Sequence, residues 1–152
     1  MLLINSIWKK YFNNRNEGLG TTYERFILHR YFESIKNRYS IQSVIEVPSF
    51  GMTGISDINS MWWALKDTWI TVVDHSLERI DLINDVWREF FLNADFIYNS
   101  NDYKRLPFDD NSFDMGWNFA ALWFVPNLDT FLRELTWVTR KVIFICVVGL
   151  RY

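Results

Sequence analysis

The sequence predicts an α/β fold: a Rossmann-like, doubly wound, mainly parallel sheet of about five strands with helices on both faces. Three observations predict it. Short, near-continuous apolar runs recur along the chain, and amphipathic helical stretches separate them. Runs without polar alternation suit strands buried on both faces, as in a parallel sheet, and the intervening helices serve as crossovers. The third observation is size: 152 residues, 49% apolar and 22% charged, supply the core of one domain.

The elements follow in order. Residues 13–20 form the most loop-like stretch and divide an N-terminal segment, 1–20, from a domain over 21–152. Thr21 and Glu24 have capping-box spacing, and Tyr23, Phe26, Ile27, Tyr31 and Ile35 then make an apolar helical face. A strand is predicted over 43–47, then a helix with Ile55, Ile58, Trp62 and Leu65 on its inner face. A second strand covers 69–73. Ser76 can cap a third helix, whose face carries Leu77, Ile80, Ile83, Val86, Trp87 and Phe90. A third strand covers 95–98. The stretch 99–112 is too short for a full crossover helix and reads as a loop with one helical turn. A fourth strand covers 113–117. Asn127 or Asp129 can cap a fourth helix with Phe131, Leu132, Leu135 and Val138 inward, and Val142 to Val148 is the fifth strand.

Composition narrows the function. Lys and Arg number 16 and Asp and Glu 18, so the net charge is −2 and no basic excess points to nucleic acid. No run approaches the roughly 18 apolar residues of a membrane span, and Met1 to Trp8 is too short for a signal h-region. The single cysteine, Cys146, cannot form an intrachain disulfide, which points to a reducing, cytoplasmic compartment. No metal-ligand spacing stands out. The 8 Trp, 7 Tyr and 13 Phe can fill a core, a pocket or an interface, and composition does not say which.

In an open parallel sheet, ligands bind beyond the carboxyl ends of the strands, so those ends carry the candidate site. After the first strand come Glu46 and a turn with Gly51 and Gly54, which reads as an anion-binding loop or an ordinary strand-to-helix turn. After the second comes Asp74, 20 residues beyond Gly54. That is the separation at which an acid meets ribose hydroxyls in dinucleotide folds, although Asp74 can equally start a helix with Ser76. After the third strand Asp102 can accept from a base amino group or stand as a solvated loop acid. After the fourth, Asn118 and Phe119 line the same crevice or pack into the core.

The segment Leu106-Pro-Phe-Asp-Asp-Asn-Ser-Phe-Asp114 resembles the Leu-Pro-Phe-x-Asp-x-Ser-Phe-Asp signature of class I S-adenosylmethionine-dependent methyltransferases of the small-molecule branch. The resemblance runs from about Tyr23 to Val148. It implies that Glu46 contacts the methionine amino group and that Gly51 and Gly54 lie in or near the loop beneath the cofactor. It implies that Asp74 binds the ribose, with His75 beside it against the adenine. Asp102 then meets the adenine amino group, Tyr103 supplies a neighbouring backbone N–H, and Asn118 and Phe119 lie near the methionine part and the substrate. Two departures accompany it. Counted from Glu46, the family's glycine positions hold Pro48, Phe50 and Met52, and the family's last two strands are lacking after residue 148.

The predicted function is methyl transfer from S-adenosylmethionine to a small acceptor. No residue stands out as a catalytic base; His29 and His75 are the only histidines. The altered loop and short sheet favour the alternative, a non-catalytic methyltransferase-like binding or scaffold protein. A nicotinamide-dependent oxidoreductase shares the Asp74 logic but lacks G-x-G-x-x-G. As the last strand, Val142 to Val148 would leave an apolar edge with no internal charge, which predicts a homodimer or a partner subunit joined there.

Overall fold

The computed structural model describes the backbone of residues 15–51, 54–55 and 59–147, and the side chains of 27–49 and 59–147. The expectations for residues 1–14, Ile58 and residues 148–152 lie outside the described residues.

Helix α1 spans Arg15–Tyr39. It therefore occupies residues 15–20 of the expected loop, and Thr21 and Glu24 lie inside it rather than capping it. Lys36 and Arg38 in its last turn complement the helix dipole. It stops where Ser40 takes a left-handed φ of 50° and Ile41 N–H returns to Lys36 O at 3.2 Å, a Schellman-type closure. Its buried stripe is Leu28 and Phe32, with Ile35 partly buried, whereas Tyr31 faces solvent. Two apolar stripes one residue apart fit the same period, and Phe32 carries the inward one.

Strand β1 (Ser43–Glu46) is central. The chain then forms a short antiparallel hairpin, β2 (Phe50–Gly51) and β3 (Gly54–Ile55), with Gly51 opposite Gly54. Helix α2 is only Met61–Ala64. The longer helix expected there is absent from the described residues: Ile55 belongs to the hairpin, Leu65 is exposed, and Met61 and Trp63 are the buried residues. Strand β4 (Trp69–Asp74), helix α3 (Leu77–Glu89) and strand β5 (Asp95–Tyr98) follow. Ser76 caps α3 by accepting from Arg79 N–H, and Ile80, Ile83, Val86 and Trp87 are buried, while Leu77 is not. Residues 99–112 are turns without the expected helical turn.

Strand β6 is Phe113–Phe119, two residues longer than its apolar run suggests, and a 3-10 turn at Leu122–Phe124 follows it. Helix α4 (Leu128–Val138) is capped by Asn127, not Asp129: the Asn127 side chain accepts from Thr130 N–H at 3.0 Å. Strand β7 is Thr139–Cys146, beginning three residues before the predicted start. Arg140 and Lys141 are accommodated there because both reach Asp114 Oδ1, at 2.7 and 2.8 Å.

The five long strands order β5-β4-β1-β6-β7, all parallel. The chain winds outward from β1 to β5, then crosses to β6 and β7, so the switch point lies between β1 and β6. Alternate residues of each strand face opposite sides. Val44, Val72, Met115 and Trp117 pack with residues of α1, α2 and α3; Ile45, Val73 and Phe113 pack with α4 and the 103–108 loop. Much of the aromatic surplus is core. Phe32 sits 4.8 Å from Trp63 and 5.0 Å, edge-on, from Trp117, with Trp62 at 5.7 Å. Gly116 lets α4 and β7 approach β6 closely: a Cβ there would meet Thr139 Oγ1 at 2.6 Å and Leu135 Cδ1 at 2.7 Å. Gly116→Ala is expected to cost about 1–3 kcal/mol of stability by overpacking, read as a lower denaturation midpoint.

Candidate functional site

Three strand ends meet through the segment 47–49. Val47 N–H donates to Trp117 O at 3.2 Å and Ser49 N–H donates to Val73 O at 3.1 Å, so the chain leaving β1 stays fastened between β6 and β4. The Val47–Pro48 peptide is cis. Buried Asn118 clasps the same segment: its Nδ2 donates to Val47 O (3.0 Å) and Pro48 O (3.3 Å), and its Oδ1 accepts from Ala121 N–H (3.1 Å). Phe119 beside it is buried in the core.

Glu46, at the end of β1, is fully buried. Its Oε2 accepts from Ser60 Oγ, and Ser60 Oγ accepts from Trp117 Nε1 at 2.9 Å. Sequence reasoning did not single out Ser60. Asp74, at the end of β4, is also fully buried. Its Oδ1 accepts from Ser76 N–H (2.8 Å) and from Arg79 Nε (3.0 Å) and Nη2 (2.7 Å); its Oδ2 accepts from Ser49 Oγ at 2.7 Å. Thus Asp74 both starts α3, as one sequence reading held, and faces the segment leaving β1.

His75 is partly exposed. Its N–H donates to Tyr103 Oη at 3.0 Å, and its Nδ1 lies 2.7 Å from the same oxygen. Arg79 Nη2 is 3.3 Å from His75 Nε2. Tyr103 is buried, and burial, with the Asp74 charge nearby, pushes its hydroxyl well above the usual phenol range. Its side chain, and not only its backbone N–H, therefore shapes this end of the sheet. Asp102 is exposed on a left-handed turn (φ 54°) shared with Tyr103 (φ 60°). Asn99 ties that turn down: its N–H donates to Asp74 O at 2.8 Å and its Nδ2 to Arg105 O at 2.9 Å. The structure thus brings together Glu46, Asp74 and Asn118 around 47–49, and His75 with Tyr103. Gly51 and Gly54 pair in the hairpin that follows, and Asp102 stands apart on the surface.

A groove of about 410 Å³ lies at the opposite, amino ends of the strands, lined by Gln42, Thr68, Trp69 and Phe91 among others. It is not at the end where parallel sheets bind ligands. Among the described residues, no group of three His, Cys, Asp or Glu side chains is placed to hold a metal ion, and no helix is long and apolar enough to cross a membrane.

A doubly wound parallel sheet with buried acids at two neighbouring strand ends is the architecture of a Rossmann-like α/β protein. Within it, the chain belongs to the methyltransferase domain family, whose model matches residues 56–145, more than half of the chain. With the sheet order, this is the class I S-adenosylmethionine-dependent methyltransferase family. Among solved structures, the chain is similar to an S-adenosylmethionine-dependent methyltransferase from Aquifex aeolicus, at 15% identity and TM-score 0.58, covering 74% of this chain and 61% of that one. It is similar to the PH0226 protein from Pyrococcus horikoshii, at 17% identity and TM-score 0.63, covering 91% and 57%. It is also similar to the cyclase SpnF, at 23% identity and TM-score 0.59, covering 74% and 41%. These likenesses are of fold, and the chain spans less than two thirds of each of these proteins. No curated protein is a significant sequence match.

S-adenosylmethionine, the family's cofactor, offers an ammonium group, a ribose cis-diol and an adenine. The residues present fit it in kind and place: two carboxylates, Glu46 and Asp74, end adjacent strands whose register sets Glu46 beside Val72. Against the fit stand the Ser49 hydroxyl on Asp74, the full burial of both carboxylates, and Pro48 at a glycine position of the family's loop.

Proposed function

We propose that this chain binds S-adenosylmethionine across the ends of β1, β4 and β6 and transfers its methyl group to a small acceptor. The observation that carries the reading is the pair of buried acids, Glu46 and Asp74, at the switch-point end of the family's sheet. In this reading Asp74 holds ribose hydroxyls and Glu46 the methionine ammonium. The Gly51–Gly54 hairpin passes beneath the cofactor, His75 lies beside the adenine, and Asp102 with the Tyr103 backbone meets its amino edge. Asn118 and Phe119 border the methionine part and the acceptor. The cofactor, when bound, supplies a methyl group already activated on a sulfonium. The chain's own contribution is then to bind, orient and exclude water, since positioning alone can supply much of the rate for such a displacement. Neutral Tyr103 keeps His75 and the start of α3 in place. No residue is assigned as base; one is needed only for an acceptor that must lose a proton.

Calorimetric titration with S-adenosylmethionine and S-adenosylhomocysteine tests the reading, with saturable one-to-one binding expected. A second reading, a non-catalytic scaffold, is favoured by one observation: Asp74 already has donors on both oxygens. Absence of binding to either compound supports that reading instead.

We further propose association through β7. Among the described residues only β6 pairs with it, and Ile143 to Cys146 on it are partly exposed. The strand begins earlier than expected and so carries Arg140 and Lys141, which protect its first part; the apolar remainder is the template for pairing with a second copy or a partner subunit. Light scattering coupled to size exclusion is expected to give a dimer at tens of micromolar, and Ile145→Lys is expected to shift it toward monomer. A monomer at that concentration overturns the homodimer. A cytoplasmic location is proposed because the chain's single cysteine, Cys146, cannot form an intrachain disulfide.

A further inference from the structure

Asp74 Oδ1 is fully committed. The Ser76 amide and two Arg79 nitrogens all lie within 3.0 Å of it. A carboxylate offers about four acceptor positions, two on each oxygen. Oδ2 is therefore the oxygen that a ribose could use. Ser49 Oγ lies 2.7 Å from it. That bond, an alcohol O–H donated to a carboxylate oxygen in a buried setting, has the chemistry of a ribose hydroxyl on the same acid. Both residues are closed off, Ser49 at 1% and Asp74 at 0% exposure. A nucleoside cannot reach Oδ2 while Ser49 holds it.

The backbone of Ser49 is fixed separately from its side chain. Its N–H is on Val73 O, and Asn118 Nδ2 holds the two preceding carbonyls. Freeing Oδ2 therefore takes a rotation about χ1 of Ser49, with the 47–49 backbone left in place. The geometry points to Ser49 as an intramolecular stand-in for a ribose hydroxyl, one that sets cofactor affinity by competing for Asp74 Oδ2. The inference rests on the proposed cofactor reading and deepens it. Exchange of one alcohol for another on Oδ2 is close to neutral in hydrogen bonding, so the competitor subtracts from affinity whatever its own bond contributes. A serine in this place thus tunes binding down without abolishing it.

The test is calorimetric titration of S-adenosylhomocysteine into wild type, Ser49→Ala and Ser49→Cys. Alanine removes the competing hydroxyl. Cysteine keeps most of the packing, with a thiol that is only a weak donor, and serves if the alanine variant folds poorly. About tenfold tighter binding to either variant is expected, together with a lower melting temperature of the ligand-free variant and a larger upward shift on adding ligand. A role in packing alone would lower the melting temperature without tightening binding. Binding by a variant with none by wild type means that Ser49 blocks the acid rather than tuning it, and overturns the inference. Equal or weaker binding by both folded variants, with wild type binding, overturns the inference and leaves the cofactor reading standing. No binding by any of the three overturns both.

Discussion

Asp74→Ala is expected to weaken S-adenosylhomocysteine binding by about 2–4 kcal/mol, the loss of one or two charge-assisted hydrogen bonds. At about 1.4 kcal/mol per factor of ten, this is roughly 30- to 700-fold in dissociation constant. The direction is opposite to that expected for Ser49→Ala, although the two side chains touch. That opposition separates an acceptor from its competitor, since a general loosening of this corner would move both variants the same way. Asp74 also holds Ser76 N–H at the start of α3 and pairs with partly exposed Arg79, so alanine lowers stability as well. Asp74→Asn is the companion variant. Its amide oxygen can still accept from Ser76 and Arg79, but its nitrogen is uncharged and can only donate, so the charge-assisted bond from a ribose hydroxyl is lost. It is expected to bind nearly as poorly as the alanine variant while melting closer to wild type. An unchanged dissociation constant in either folded variant would remove Asp74 from the ribose role.

Much of this architecture was legible because burial on both faces leaves a plain mark on a strand. Runs such as 69–73 and 95–98 located β4 and β5 to within a residue. The site's position followed from topology alone, since ligands gather at strand ends beside a switch point. Legibility failed where two local solutions had similar periods, or where a partner lay far away in sequence. In α1, Ile27–Tyr31 and Leu28–Phe32 both have spacing four, and the choice depended on Trp63 and Trp117, which are 31 and 85 residues beyond Phe32. The partners of the site acids were hidden for the same reason. Ser60 is 14 residues from Glu46, and Ser49 is 25 from Asp74. A serine three residues after the acid that ends β1 is the local signal for Ser49, and ordinary turns share it. The Leu106 to Asp114 segment carried the family resemblance, yet its described contacts are structural. Leu106 N–H donates to Glu134 Oε2 at 2.9 Å, Phe108 meets Phe113 edge-on at 4.9 Å, and Asn111 N–H donates to Trp137 O at 2.9 Å.

The last residue of that segment carries the second large expected effect. Asp114→Asn should destabilise the fold by about 2–4 kcal/mol at neutral pH, read as a fall of roughly 1–2 M in the urea midpoint. Asp114 is fully buried at the start of β6 and gathers three strands. Its Oδ2 accepts from the N–H groups of Gln42 (2.8 Å) and Ser43 (3.3 Å) at the entry to β1. Its Oδ1 accepts from Arg140 Nε (2.7 Å) and Lys141 Nζ (2.8 Å) on β7. Its own N–H donates to Ser43 Oγ at 3.0 Å. The two cations are partly exposed, so solvent screens their share of the loss. Burial alone would raise the Asp114 pKa. The hydrogen bonds from Arg140, Lys141 and Gln42 outweigh it and hold the carboxyl well below the usual carboxylate range. The folded value thus lies below the unfolded one, near 3.9. Stability from this group is therefore fully present above about pH 4 and is lost as pH falls below that toward the folded value. The gap in urea midpoint between wild type and Asp114→Asn should stay constant from pH 7 to about 5 and narrow below about 4. A gap that ignores acid would show that the carboxylate's charge contributes nothing here. A gap absent at pH 7 would mean that the β1 amides and the two β7 cations are satisfied without Asp114.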